Sequence, residues 1–398
     1  MSSRMNTRLP KVLHEVCGRP MLAYVLDACR EAGVEKMYIV VGYGKEQVIE
    51  AFKDDKNIVW VEQAERKGTG HAVLCCKEHL ANFEGETLIL CGDGPLIRAE
   101  TLSTLLSKHE SEKAAATLAT AVLENPNGYG RIVRDAYGNM QGIVEHNDCT
   151  PQQLAIKEVN PSYYCFNNKA LFAALANIKP NNVKNEYYLT DAIHLIIADG
   201  YKVVAVTAVP PADALSVNSR SQLSDTGKIM QRRIQERLMN NGVTIVDPPN
   251  TWIDARAVVG QDTVIEPFTY IHGRVKIGSN CRVGPFAYVR EGTVLGEDVV
   301  LGVFTEIKKA SLGNGARVRH HSYIGDATVG ENVNIGAGSI TANFDGKQVR
   351  HTEIGGGSFI GSGSILIAPI AIKAGSHVNP GSVISQKEAQ NLNHGGSR

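Results

Sequence analysis

The chain has 398 residues, with 41 basic and 41 acidic side chains. That length makes two domains the natural expectation, each large enough to bury a core, and the charge balance gives no electrostatic ground for a nucleic-acid or anionic-membrane partner. The polar, basic start MSSRMNTRLP carries no apolar h-region, and no apolar run approaches the ~20 residues of a membrane span, so neither a secretory signal nor a membrane helix is expected. Eight cysteines (Cys17, Cys29, Cys75, Cys76, Cys91, Cys149, Cys165 and Cys281) lack CxxC spacing and mostly sit in apolar runs. Buried, reduced thiols in a cytoplasmic protein are the plain reading.

The first half alternates strand and helix. Apolar strands are predicted at Met37–Val41, Ile58–Val61, Thr87–Cys91, Ala115–Ala121, Ser162–Phe166 and Val203–Thr207, with helices at Pro20–Ala32, Gly70–His79 and Ala99–Lys108. That rhythm predicts an α/β domain over 1–215 with a mostly parallel sheet and ligands at strand C-termini. Three features in it are polar for their position. Arg4 and Lys11 belong to a basic loop feeding a helix; Gln63 precedes Gly68-Thr69-Gly70-His71, where glycine lets backbone approach a ligand. Asp93 ends the strand Leu88–Asp93, where a carboxylate can hold a metal. Each alone reads more readily as an exposed base, a turn glycine or a helix cap than as part of a site. Further polar motifs follow: Gly128–Ile132, Gly142–His146, Glu158–Asn160, Glu186–Asp191 and Val217-Asn218.

A long amphipathic helix is predicted at Ser216–Asn241, giving a linker over 216–246, and Asp247-Pro-Pro-Asn-Thr251 breaks the chain after it. From Ile253 to Ile307 an aliphatic residue then returns every sixth position: Ile253, Val259, Ile265, Ile271, Ile277, Val283, Val289, Leu295, Leu301, Ile307. After two one-residue slips the series runs to Ile335, and it resumes from Ile354 to Ile384. A period of six fits neither helix nor alternating strand and marks a solenoid, here a hexapeptide-repeat β-helix over 247–386 with a tail at 387–398. Three hexads make one triangular coil with its aliphatics stacked inside. Glycine often follows the aliphatic, as at Gly260, Gly278, Gly284 and Gly296, which suits a corner at positive φ. The polar insert Ala342–Glu353 is the one long gap in the hexads; such an insert is more often a plain surface loop, but solenoid loops also commonly build sites.

Taken in order, these motifs closely resemble the bacterial bifunctional N-acetylglucosamine-1-phosphate uridylyltransferase/glucosamine-1-phosphate acetyltransferase family, from about Arg4 to Ile384. The resemblance implies a Rossmann-like nucleotidyltransferase domain joined by a helix to a left-handed parallel β-helix that forms a homotrimer. It implies that Arg4 and Lys11 hold UTP phosphates and that Gln63, Gly68 and Thr69 read the uracil side. Asp93 and Asn218 would hold Mg²⁺, and Gly130, Glu145 and Asn160 would bind N-acetylglucosamine-1-phosphate. In the β-helix it implies His320 as general base toward glucosamine-1-phosphate, a task suited to imidazole. Arg290, Lys308, Tyr323 and Asn334 would grip the sugar phosphate, with Ala337, Asn343 and Ser362 along acetyl-CoA.

The chain departs from the family pattern in places. It starts inside the family's glycine-rich LAAGxGTRM loop, so the chain as given is expected to be much weaker in uridylyl transfer than an upstream-extended one. The solenoid reads a few coils short and lacks the family's basic C-terminal tail. Phe344 replaces a tyrosine, Val349 a lysine and Pro380 a small residue, and Asn160-Pro161-Ser162 stands for Asn-Thr-Gly. Two further readings follow: a uridylyltransferase whose β-helix is only a trimerisation scaffold, and a non-catalytic sugar-nucleotide-binding subunit.

Overall fold

The computed structural model describes residues 5–392, and its contacts divide the chain into two units, 1–226 and 227–398. In the first unit, α1 (Met21–Glu31), β1 (Met37–Val41), α2 (Lys45–Ala51) and β2 (Ile58–Glu62) come first. Helices α3 (Thr69–Leu74) and α4 (Lys77–Leu80), strand β3 (Glu86–Ile89) and helix α5 (Ala99–Glu112) follow. Then come β4 (Ala116–Val122), β5 (Gly130–Arg134), β6 (Met140–Val144), β7 (Glu158–Asn167), α6 (Asn168–Leu175), α7 (Leu189–Ala198) and β8 (Val203–Thr207). The expected strands all form.

The mostly parallel sheet does not. β1 and β2 are a parallel pair of their own, and the six-stranded sheet has the order β8-β4-β7-β5-β6 with β3 also on β7. In that sheet only β8 and β4 run parallel; β7 is antiparallel to β3, β4 and β5. The ten-residue β7 is the axis: Glu86 to Ile89 lie along its far half and Gly130–Arg131 beside its start. Sequence rhythm could not reveal this, because alternation with helices leaves strand direction open whenever a hairpin such as β5–β6 intervenes.

Both faces of the sheet are covered, which explains why β4 and β7 read as continuous apolar runs. Successive residues go to opposite layers. Ala119, Ala121, Tyr163 and Cys165 pack with Leu22, Leu26, Leu102 and Leu105 from α1 and α5. Leu118, Tyr164 and Phe166 pack with Leu171, Leu189 and Ile193 from α6 and α7.

The division into units falls within α8 (Arg220–Asn240). In the second unit the helix covers the first coil of a left-handed parallel β-helix: Gln231 bonds both backbone groups of Ile253, and Gln235 donates to the Thr251 carbonyl at 2.7 Å. These side chains satisfy strand-edge groups that an open solenoid end would leave bare. Three parallel sheets of eight, eight and seven short strands make the walls. Val264 pairs with Arg282 and Arg282 with Val300, eighteen residues per coil. The next two steps on that wall, Val300 to Arg317 and Arg317 to Asn334, are seventeen, which are the slips seen in the hexads. The step from Asn334 to Phe359 absorbs the insert.

Every aliphatic of the ladder is buried. The structure adds Ile245 at its start and fills the gap after Ile335 with Thr341, which is fully buried and accepts a 2.8 Å bond from Gly325 N. A hydrophobicity pattern passes over such a threonine. Ile307, fully buried, is the simplest test of the ladder. Ile307→Ala should cost roughly 2–5 kcal/mol of stability through lost burial and a residual cavity, measured by denaturant unfolding at fixed protein concentration. A loss below ~1 kcal/mol would contradict a packed ladder.

The expected role of the glycines is corrected. Of Gly260, Gly278, Gly284 and Gly296 only Gly284 has positive φ. A Cβ on Gly278 would lie 2.4 Å from the Gly296 carbonyl oxygen, so that glycine is there to let one coil's backbone rest on the next. The left-handed corners fall elsewhere, on Asp262, Asn280, Asp298 and on Phe268, Phe286 and Phe304. No helix among the described residues is long and apolar enough to cross a membrane, and all eight cysteines are free of disulfides.

Candidate functional site

In the first unit the expected residues gather into three groups. Arg4 lies outside the described residues. Lys11 stands on a short 3₁₀ turn, Asp93 just past the end of β3, and Asn218 just before α8. The Val217 amide donates to the Asp93 carbonyl at 3.0 Å, which draws the two segments together. The Lys11 ammonium then donates to Asp93 Oδ2 and, at 3.0 Å, to Asn218 Oδ1. Two hard oxygens from distant parts of the chain thus converge on one cation, and Asn218 is itself held by its amide donating to Gln222 Oε1. Carboxylate and amide oxygens around a single positive charge are a donor set that suits Mg²⁺.

The second group centres on the loop before α3. Gln63 Nε2 donates to the Gly68 carbonyl at 3.1 Å and contacts His71 Nδ1 at 3.0 Å. Gly68 has φ 107°, and a Cβ there would meet the Tyr187 carbonyl oxygen at 2.5 Å. Tyr187 clamps this loop: its amide donates to Lys67 O and its carbonyl accepts from Gly70 N, while Thr69 Oγ1 accepts from Leu189 N at 3.0 Å. The Glu186–Asp191 motif thus gains a role that the sequence did not assign to it. It fixes the backbone of the Gly68–Gly70 loop.

The third group lies where β5, β6 and β7 meet. A Cβ on Gly130 would sit 3.0 Å from Ile143 and 3.7 Å from both Asn160 Cβ and Glu145 Oε2. Asn160 is buried, donates to the Tyr164 hydroxyl at 2.6 Å and accepts from Ser162 N. Ser162 has φ 69°, a conformation that glycine adopts without strain and serine does not, so the Asn160 turn offsets part of that departure. Burial pushes the Glu145 carboxyl above its usual range despite a bond from Thr190 Oγ1. It lines a cavity of about 230 Å³ with Gly128, His146, Asn147, Lys184 and Tyr188. Burial also pushes the Tyr188 phenol up to about 12, leaving it a neutral donor. A partly buried carboxyl with hydroxyl and amide neighbours is apt for a sugar's hydroxyls.

In the β-helix, coil stacking aligns several of the expected residues. Tyr288, Glu306 and Tyr323 are register partners on one wall. Arg290 Nη1 donates to Glu306 Oε1 at 2.6 Å, and its guanidinium lies 5.4 Å from the Tyr288 ring centroid. Asn343 is buried and donates to Asp326 Oδ2 at 2.6 Å and to the Tyr323 hydroxyl at 3.3 Å. Lys308 Nζ stands 3.9 Å from the same Asp326 oxygen. Asp326 was not foreseen, since an aspartate at a solenoid corner reads as a turn residue. His320 ends its strand exposed, and its carbonyl accepts from Ser322 Oγ at 2.8 Å, which holds the backbone while leaving the ring outward. Asn334 lies on that same wall, paired with Arg317. Ala337 and Ser362 occupy successive coils, where Gly363 N donates to the Ala337 carbonyl at 2.7 Å and Ser362 is exposed. The insert is a small hairpin closed at Phe344 and Val349, both exposed. Its Asp345 accepts from Lys347 N, Gln348 N and Arg350 Nε, so Arg350 is already engaged within the loop.

Comparison with known proteins agrees with both halves. Residues 1–182 match the MobA-like NTP transferase domain. Residues 256–291 and 274–309 match the bacterial transferase hexapeptide repeat, and 352–386 match the hexapeptide repeat of succinyl-transferase. The bifunctional protein GlmU of Geobacillus sp. (strain WCH70) is 43% identical over 98% of this chain and 92% of that protein. The chain belongs to the GlmU family. The GlmU of Bacillus cytotoxicus is 45% identical over 96% of this chain and 90% of its own length, and that of Pelotomaculum thermopropionicum is 43% identical over 92% and 87%.

Proposed function

We infer that the two units carry consecutive steps of one conversion. The β-helix acetylates glucosamine-1-phosphate from acetyl-CoA, and the first unit transfers uridylyl from UTP to the resulting N-acetylglucosamine-1-phosphate. The products of the second step are UDP-N-acetylglucosamine and pyrophosphate. The observation that carries this reading is the convergence of Asp93 and Asn218 on the Lys11 ammonium. In uridylyl transfer the sugar-phosphate oxygen attacks the α-phosphorus and pyrophosphate leaves, so the protein must align the two and neutralise charge rather than offer a nucleophile. Asp93 and Asn218 would hold Mg²⁺, which when bound supplies that neutralisation. Lys11 adds a positive charge beside it. Gln63, Gly68 and Thr69 form the base-facing loop, and Gly130, Glu145 and Asn160 the sugar pocket.

For acetyl transfer, His320 takes a proton from the glucosamine amine. The amine nitrogen then bonds the thioester carbonyl carbon, the carbon–sulfur bond breaks, and the departing CoA thiolate takes the proton from the His320 imidazolium and leaves as its thiol. Arg290 and Lys308 are the cations for the sugar phosphate, with Tyr323 and Asn334 for its polar groups; Ala337, Asn343 and Ser362 follow acetyl-CoA along successive coils. In the test, the purified chain with UTP, N-acetylglucosamine-1-phosphate and Mg²⁺ releases pyrophosphate, and chelation of the metal stops it. Release unaffected by chelator would sink the reading.

A homotrimer built on the β-helix belongs to the same proposal. Phe268, Phe286 and Phe304 stand exposed on one corner, stacked at 4.9 and 5.2 Å between ring centroids. Such an aromatic strip is more apolar than a solvated solenoid needs. Light scattering at micromolar concentration should give three times the chain mass; a stable monomer would contradict it.

A further inference from the structure

We propose that Glu86, His109 and Cys165 form a Zn²⁺ site in the first unit, separate from the transfer site. Their donor atoms, one carboxylate oxygen, one ring nitrogen and one sulfur, lie within 4.8 Å of one another. They come from three elements. Cys165 sits on the central strand β7 with Leu88 of β3 and Thr117 of β4 as its cross-strand partners. Glu86 is two residues before Leu88, so it projects to the same face. His109 reaches down from α5, the helix that covers that face.

The surroundings have the features of a ligand set. His109 and Cys165 are buried, while Glu86 is half exposed. His109 Nδ1 is 2.9 Å from Thr117 Oγ1, so the hydroxyl fixes the ring and turns Nε2 toward Glu86 Oε2, 2.6 Å away. Metal-bound histidines use such a partner on the other nitrogen. A cavity of about 640 Å³ lined by Glu86, His109, Asn167 and Lys202 borders two of the three ligands, Cys165 lying buried behind them. Sulfur, nitrogen and oxygen donors with a water in fourth place make a tetrahedral set that zinc accepts, with bonds of about 2.0–2.3 Å. Binding separates Glu86 from Nε2 by about an ångström, leaves the imidazole proton on Nδ1 facing Thr117, and expels the Cys165 thiol proton to water; nothing is oxidised. Burial holds that thiol up at about 12 without the metal, so it is inert until a cation replaces the proton.

Glu86 begins β3, whereas Asp93 lies beyond its other end, so the metal would pin α5 to β3 and β7 rather than take part in transfer. The test uses the full chain, stripped of metal and titrated with Co²⁺. A sulfur-to-cobalt charge-transfer band should appear with tetrahedral visible bands, saturate at about one equivalent per chain, and be bleached by Zn²⁺. Asp93→Ala should leave it unchanged. Cys165→Ala should abolish the charge-transfer band, and the near-isosteric Thr117→Val should weaken binding by about 10–100-fold with the fold intact by circular dichroism. Absence of the band, or its persistence in Cys165→Ala, would overturn the proposal.

Discussion

Asp93→Ala should lower kcat for UDP-N-acetylglucosamine formation by at least ~10²-fold and leave acetyl transfer unchanged. The metal's stabilisation of the developing phosphoryl charge is worth several kcal/mol, and each 1.36 kcal/mol is tenfold in rate. The substitution removes one of the two oxygens that meet at Lys11. It also leaves the Lys11 ammonium with Asn218 alone, so the residual activity should need more Mg²⁺. Asp93→Asn keeps size and hydrogen bonding, and it should recover little, because charge rather than shape is what the site loses. Steady-state kinetics across a Mg²⁺ series separates these outcomes. Full activity in Asp93→Ala would remove Asp93 from the site.

His320→Ala should reduce acetylation of glucosamine-1-phosphate by about 10²–10⁴-fold, the usual contribution of a general base, while uridylyl transfer proceeds at the parent rate. His320 lies at a strand end whose backbone is fixed by Ser322 Oγ, so its replacement should not disturb the coil. On the proposed reading, the acetyl-CoA side has fewer charged groups than the sugar-phosphate side. Val349 brings no charge to the insert, Phe344 no hydroxyl, and Arg350 is bound to Asp345. Each charge-assisted contact missing toward CoA is worth roughly 1.5–3 kcal/mol if well formed, and two such losses weaken acetyl-CoA by about a hundredfold or more. A raised KM for acetyl-CoA is therefore expected in the unaltered chain, and Val349→Lys should lower it. No acetyl transfer at saturating acetyl-CoA, with uridylyl transfer intact, would make the β-helix a scaffold.

The β-helix was legible because its period is imposed by geometry: each wall needs one inward aliphatic, so Ile253 to Ile307 could be numbered without a structure. Even the seventeen-residue coils and the insert were visible as slips and a gap. Thr341 was hidden because a buried hydroxyl that bonds the neighbouring coil breaks a hydrophobic pattern without breaking the fold. The glycines were noticed for the wrong reason, since sequence cannot distinguish positive φ from close backbone approach. In the first unit, strand positions were readable but their direction was not, and the antiparallel β7 decides which motifs meet. Through resemblance Lys11 was expected on the UTP phosphates and Asp93 with Asn218 on Mg²⁺, and the structure draws all three together across more than two hundred residues of chain. Tyr187 and Thr190 stood inside the Glu186–Asp191 motif without a role of their own, and Asp326 was missed, because they act through backbone clamps or a single hydrogen bond, which composition does not reveal.

The most direct measurement is a single-pot conversion: the purified chain with glucosamine-1-phosphate, acetyl-CoA, UTP and Mg²⁺, its products separated and weighed by mass spectrometry. Two sites acting in sequence predict UDP-N-acetylglucosamine, CoA and pyrophosphate in equal amounts, with N-acetylglucosamine-1-phosphate accumulating when UTP is withheld. No UDP-N-acetylglucosamine from either glucosamine-1-phosphate or supplied N-acetylglucosamine-1-phosphate would contradict the account.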